Sequence, residues 1–193
     1  MSDSIYAPPQ ADVSVSDDAQ PRYYVVAPYK FVLLSVLTFT LYFVYWFYRN
    51  WRQIKLEDND DLWAPARGLF YIFFTHSLFT DVQENLKNQD RSYEWQPGLL
   101  AGLFVIATLV VNLFDRIVSF EAYPVVSVMA PFVATALTTL LLFPAQKAIN
   151  YACNDVGGSG NAKLTVINWA WIVLGGLFWL LVVIGTVAIL SES

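Results

Sequence analysis

Between Phe31 and Tyr48 the chain carries no charged residue, and it then runs straight into Arg49, Arg52 and Lys55. No other feature limits the fold as much. An apolar stretch of this length that stops at a basic edge is the pattern of a helix crossing a bilayer and ending at a cytoplasm-facing surface. Read so, it forms a first span over residues 29–48 and orients everything after it.

Composition points the same way. Hydrophobic residues make up 56% of the 193, and charged residues only 14%, against roughly 25% in soluble domains. The apolar residues come in blocks. A membrane barrel would instead show segments of about ten residues alternating apolar and polar. The expected fold class is an all-α integral membrane protein with four transmembrane helices and one interfacial amphipathic helix.

The net charge of −5 and the lack of a Lys/Arg-rich block argue against a nucleic-acid partner. Cys153 is the only cysteine, so neither an intrachain disulfide nor a cysteine metal cluster can form. His76 is the only histidine, which removes His-His metal sites. No metal and no cofactor is expected. Met1–Tyr29 lacks the basic start and apolar core of a cleavable signal, so the first span is expected to act as an uncleaved anchor.

Residues 1–28 read as a disordered acidic tail. They hold Asp3, Asp12, Asp17 and Asp18 against Arg22, together with Pro8, Pro9, Pro21 and Pro28. Within the tail, Tyr23–Val26 can lie on the membrane surface or on the bundle. After the first span, Leu56–Asp61 reads as an acidic turn. A cytoplasmic-side amphipathic helix is placed over residues 66–88. His76, Thr80, Gln83, Glu84 and Lys87 project to one face, and Phe74, Leu78, Val82 and Leu86 to the other. Its apolar part, 69–80, is too short to cross about 30 Å of hydrocarbon. An in-plane helix is the preferred reading, with a re-entrant segment or a fifth span as alternatives.

Further spans are expected at 99–118, ending on Asp115 and Arg116, at 125–144, with Pro131 inside and Pro144 and Lys147 at its exit, and at 165–190. Asn150–Lys163 is read as the loop before the last span. With four spans, Arg22, Lys30 and Arg116 fall on one side. Arg49, Arg52, Lys55, Arg67, Lys87, Arg91, Lys147 and Lys163 fall on the other. Basic residues concentrate in cytoplasmic loops, so both termini are expected outside.

Tyr42, Tyr45, Trp46, Tyr48 and Trp51 crowd the end of the first span, and Trp169 and Trp171 open the last one on the same side. Amphipathic rings favour the headgroup level, so these seven are read as a membrane-interface belt. Small residues mark helix packing: Gly98 and Gly102, Ala130 and Ala134, and Gly175-Gly176. No acid, Lys, Arg or His sits near mid-span, which counts against a proton-coupled pump or a voltage sensor. Asn112, Ser127 and Asn168 suit hydrogen bonds between helices. The candidate for chemistry is His76, with Arg67, Asp81 and Glu84 as assistants, although Asp81 projects about 140° away from it on a helix. Gly157–Lys163 lacks the Gly-Lys-Ser/Thr ending and the preceding strand of a phosphate loop.

The residues Leu33-Leu34, Thr38, Leu41-Tyr42, Tyr45–Tyr48 and Asn50-Trp51 resemble the first-span signature of a group of small, uncharacterised bacterial multi-pass membrane proteins. Thr40 stands where that group carries Gly. Phe73–Phe79, Asn168–Trp171 with Gly175-Gly176, and the Tyr6–Pro9 leader are similar to the same group. The resemblance implies a bacterial cytoplasmic membrane and no activity. A non-enzymatic scaffold or accessory subunit is the expected function. A small transporter or channel subunit and a lipid-headgroup enzyme acting through His76 are the alternatives. The expected partners are the lipid bilayer and either another membrane protein or a second copy of the chain.

Overall fold

The structure is a computed structural model and describes residues 21–118 and 122–192. The acidic part of the expected tail, with Asp3, Asp12, Asp17 and Asp18, lies outside the described residues, as does the Tyr6–Pro9 leader. Among the described residues the fold is helical: α1 (Pro28–Leu37), α2 (Leu41–Asp58), α3 (Ala64–Leu69), α4 (Tyr71–Asn88), α5 (Pro97–Ile117), α6 (Pro124–Ala152) and α7 (Val166–Glu192), with one 3-10 turn at Ser159–Asn161. Prolines open α1, α3, α5 and α6. The first turn of a helix tolerates proline because its missing N–H has no intrahelical acceptor there.

Three helices are long and apolar enough to cross a membrane: α5 over Pro97–Phe114, α6 over its whole length and α7 over Val166–Ala188. α5 and α7 stand where the spans 99–118 and 165–190 are expected. α6 departs from the expected 125–144. It keeps both Pro131 and Pro144 inside the helix and continues to Ala152, so Gln146, expected past the end of the span, and Asn150, expected in the loop, are both helical and buried.

The expected first span, 29–48, is not one helix. α1 stops at Leu37 and α2 starts at Leu41, and Phe39 and Thr40 between them have φ values of 50° and 68°. A continuous helix would hold Phe31 and Trp46 about 22 Å apart at 1.5 Å per residue. Their rings are 5.7 Å apart, and Phe31 also meets Tyr42 at 6.0 Å. The chain therefore doubles back as a hairpin. Thr38 is the local cause: its Oγ1 donates to the Leu34 carbonyl (2.8 Å), closing α1, and accepts the Tyr42 N–H (3.0 Å), opening α2. The N–H groups of Thr38, Phe39, Thr40, Leu41 and Phe43 all reach backbone carbonyls of residues 34–40. The break thus leaves none of these amides unpaired, which a reversal surrounded by apolar helices requires.

α2 passes Tyr48 and continues to Asp58, so half of the expected acidic turn is helical. The helix expected over 66–88 is two pieces, α3 and α4, parted at Phe70. In α4, Leu78, Phe79, Val82 and Leu86 are buried, while His76, Glu84 and Lys87 are exposed.

The core forms where the hairpin meets α4, α5 and α6. Phe31, Phe43, Trp46, Phe47 and Phe104 are at most 1% exposed and pack edge-on or stacked. This overturns part of the expected interface belt. Tyr42, Trp46 and Trp51 are buried in protein, and Trp46 donates its indole N–H to Gln146 Oε1. Tyr45 and Tyr48 are partly open, and Trp169 and Trp171 stand exposed on α7. The small residues divide in a similar way. A Cβ on Gly175 would lie 1.9 Å from the Leu37 carbonyl oxygen, so glycine is what lets α7 touch the end of α1. At Gly98, Gly102 and Gly176 a Cβ would meet nothing within 4 Å, so these are not points of close packing within the chain. Ala130 and Ala134 are half-buried.

Candidate functional site

Tyr23–Ala27, placed by the sequence in a disordered tail, is core. All five residues are buried, Tyr23 and Val26 completely. A non-helical segment inside a helical protein has no neighbouring strand to satisfy its backbone, and buried amides and carbonyls must find partners. Side-chain amides supply them. Asn50 Oδ1 accepts the Tyr24 N–H (3.0 Å). Asn150 takes the Val26 N–H on its Oδ1 (3.2 Å) and gives its Nδ2 to the Val26 carbonyl (2.8 Å). Asn161 Nδ2 donates to the Val25 carbonyl (3.0 Å), and Gln146 Nε2 donates to Asn150 Oδ1 (2.7 Å). Gly158, at φ 65°, lies so close over Val26 that a Cβ would sit 2.4 Å from the Val26 carbonyl carbon. At the outer edge, Arg22 bridges Asp58 at the end of α2 and Asp81 of α4, and the Tyr23 hydroxyl donates to Asp81 Oδ1 (2.6 Å). Burial, reinforced by the Asp81 carboxylate, pushes the Tyr23 phenol well up from its ordinary value.

This clamp forms one wall of a cavity of about 570 Å³, closed by the base of the hairpin and the connection from α6 to α7. Lys30 and Arg49 both line it. Lys30 is 2% exposed, and its Nζ donates to Asn161 Oδ1 (2.7 Å) and to the Lys163 carbonyl (2.8 Å). The Arg49 guanidinium lies over the rings of Tyr24 (4.7 Å) and Tyr45 (5.8 Å), and its buried Nε has no hydrogen-bond partner. Gln53, also in the lining, has a buried and unpartnered Oε1. The acid in the wall is Asp155. Its Oδ1 accepts from the Ser159 N–H and hydroxyl, and its Oδ2 from the Gly160 N–H. Desolvation raises this carboxyl, but the donors of the turn together outweigh it and hold it below the usual carboxylate value.

Cys153 borders the same cavity. Burial, with the Asp155 carboxylate adding to it, pushes the thiol up to about 11. The thiolate is the reactive form, so a raised value means less of it at any pH below that point. Alkylation of Cys153 by iodoacetamide should still climb about tenfold per pH unit at pH 9.5. Followed by intact mass, a rate that levels off by pH 9 would contradict the burial of this thiol.

A second cavity, about 210 Å³, lies at the tip of the hairpin between α5 and α6. Thr40, Thr108, Asn112, Thr135 and Thr138 give it a polar lining beside Phe39. Phe39 stacks on Trp179 of α7 (4.1 Å), whose indole N–H donates to the Val36 carbonyl (3.0 Å). Trp179 is near the middle of the Val166–Ala188 stretch, so the hairpin reaches about halfway along α7.

The residues proposed from sequence for chemistry are not gathered. His76 is exposed, with its Nδ1 3.5 Å from Thr80 Oγ1. Arg67 lies over the rings of Trp51 (4.3 Å) and Phe74 (5.3 Å). Asp81 is engaged by Arg22 and Tyr23, and Glu84 is exposed. Of the interhelical polar candidates, Asn112 lines the smaller cavity and Asn168 the larger. The Ser127 hydroxyl is buried without a partner. Among the described residues, no group of three or more His, Cys, Asp or Glu side chains comes together that could hold a metal ion. Sequence reading missed Lys30 with Arg49 and the amide set of Asn50, Gln146, Asn150 and Asn161. The signal for the first pair was present: the two cations bracket the uncharged run, so any fold that halves the run brings them together. No protein-family model, curated protein or solved structure matches the chain.

Proposed function

We propose that this is a non-enzymatic integral protein of a bacterial cytoplasmic membrane, a scaffold or accessory subunit built round a re-entrant hairpin. One observation carries the reading: the buried side chains Asn50, Gln146 and Asn150, with the half-buried Asn161, are all engaged in holding the Tyr23–Ala27 segment in place, as a structural clamp would be. The bacterial location rests on the resemblance of the Leu33–Trp51 signature.

In this reading α1 and α2 enter and leave on one side, and α5, α6 and α7 cross. Charge supports it. Arg22, Lys30, Arg49, Arg52, Lys55, Arg67, Lys87, Arg91, Lys147 and Lys163, ten of the eleven Lys and Arg, then share the side of the N-terminal segment, and Arg116 alone lies opposite. Four crossings leave three on the sparse side. Basic residues mark the cytoplasmic face, so the N-terminal segment is cytoplasmic and the C-terminus lies across the membrane. α4 begins beside the hairpin tip, where Tyr71 lines the smaller cavity, and runs from there toward the cytoplasmic side, with His76, Glu84 and Lys87 exposed along it. A broken helix is tolerated at mid-membrane where protein buries it or where it lines a cavity, and Phe39 and Thr40 line one.

In a strain lacking the protein, the His76→Ala variant should restore the wild-type phenotype in full. Loss of rescue at a normal protein level would favour a headgroup enzyme instead. The polar cavity at the hairpin tip favours a second reading, a channel or transporter subunit. Solute flux through proteoliposomes that Asn112→Leu abolishes would favour that one.

A further inference from the structure

We propose that the larger cavity is a binding site for a phosphate group, held between the Lys30 ammonium and the Arg49 guanidinium. The site goes beyond the scaffold reading and uses the threading only to assign it to the cytoplasmic side.

Two cations line one cavity, and neither has a carboxylate. The ion pairs among the described residues are those of Arg22 with Asp58 and Asp81. Lys30 donates to two neutral oxygens and keeps one N–H of its three. Arg49 leaves its Nε buried and unpaired. Asp155 does not neutralise them through an ion pair, and both of its oxygens accept from Ser159 and Gly160. A side chain as buried as Lys30 that carries a charge with no carboxylate beside it is costly, and an anion in the cavity offsets that cost. Phosphate suits the two donors, because a guanidinium fork and an ammonium point charge are the usual pair for its oxygens. The unpartnered Gln53 amide offers a further contact to a hydroxyl or amine attached to the phosphate. A volume of about 570 Å³ exceeds what a bare phosphate needs and falls among small-ligand pockets.

Lys30 near the start of α1 and Asn168 near the start of α7 line the cavity, each next in sequence to an exposed ring, Tyr29 and Trp169, at the level where those helices begin. That is the headgroup level of the bilayer. The phosphate can come from a glycerophospholipid or from a soluble phosphate ester, and the test separates these sources.

The full chain, stripped of lipid in detergent, is titrated with phosphatidylglycerol, diacylglycerol and glycerol 3-phosphate, and bound species are counted by native mass spectrometry. Phosphatidylglycerol should bind saturably, one per chain, and diacylglycerol should not. Arg49→Gln should weaken binding by about tenfold or more, the effect of one charge-assisted contact, and Lys30→Gln should do the same. Arg116→Gln, at the far end of α5, should leave binding unchanged. Arg49 is only half-buried, so its variant decides the matter if Lys30→Gln does not fold. Displacement of the lipid by glycerol 3-phosphate would identify a soluble ester, and no displacement a lipid; both support the phosphate site. Equal binding of diacylglycerol, or wild-type binding by a folded Arg49→Gln, would overturn it. Reporter fusions at the termini test the threading separately, so the two ideas can fail independently.

Discussion

Reporters fused to the two ends of the chain should read opposite compartments. A fluorescent protein ahead of Met1 should mature in the cytosol, and alkaline phosphatase after Ser193 should be active beyond the membrane. The expectation follows from the turn at Phe39–Thr40. Because α1 and α2 double back there, Arg22 meets Asp58 and the Tyr24 N–H meets Asn50, which puts both ends of the hairpin on one face. The helices long and apolar enough to cross are α5, α6 and α7, which makes the proposed number of crossings odd. A single helix over residues 29–48 would make four crossings and put both reporters outside. The result is close to all-or-none, since each reporter works on only one side. An N-terminal fluorescent fusion that is dark at normal abundance, with the phosphatase active, would restore the four-span threading.

Replacing Asn150 by Leu should be among the most damaging single changes. The side chain is fully buried, and it satisfies both the N–H and the carbonyl of Val26 while accepting from Gln146. Leu matches its bulk and offers none of these bonds. Each backbone group left buried without a partner costs about 1–3 kcal/mol, so the total is several kcal/mol, a large part of a marginal stability. The expected result is a clear drop in the detergent melting temperature, with fast hydrogen exchange at Val26. Wild-type melting together with a protected Val26 amide would show that the segment is held by its apolar side chains alone.

Legibility in the sequence followed a physical divide. α5 and α7 could be read because a long uninterrupted apolar run has few other solutions. The hairpin could not, because Lys30–Lys55 has the composition of a span and its break depends on one side chain, Thr38, capping in both directions. Nothing in the local sequence announced Thr40, whose φ of 68° is the left-handed backbone that favours glycine. The distribution of Lys and Arg was a clue, since three crossings separate them better than four. The 570 Å³ cavity was out of reach for a different reason. Its walls come from residues 21–53 and 153–168, and no local pattern links stretches a hundred or more positions apart. The seven interface aromatics were split because hydropathy treats a ring at a bilayer surface and a ring in a protein core alike.

The long reach of the Asn150–Val26 bonds also sets a schedule for biogenesis. Val26 leaves the ribosome 124 residues before the side chain that completes it. Until α6 emerges, the Tyr23–Ala27 segment has no permanent seat, and its backbone must stay hydrated or be sheltered by insertion machinery. A segment synthesised ahead of every helix is therefore among the last to settle.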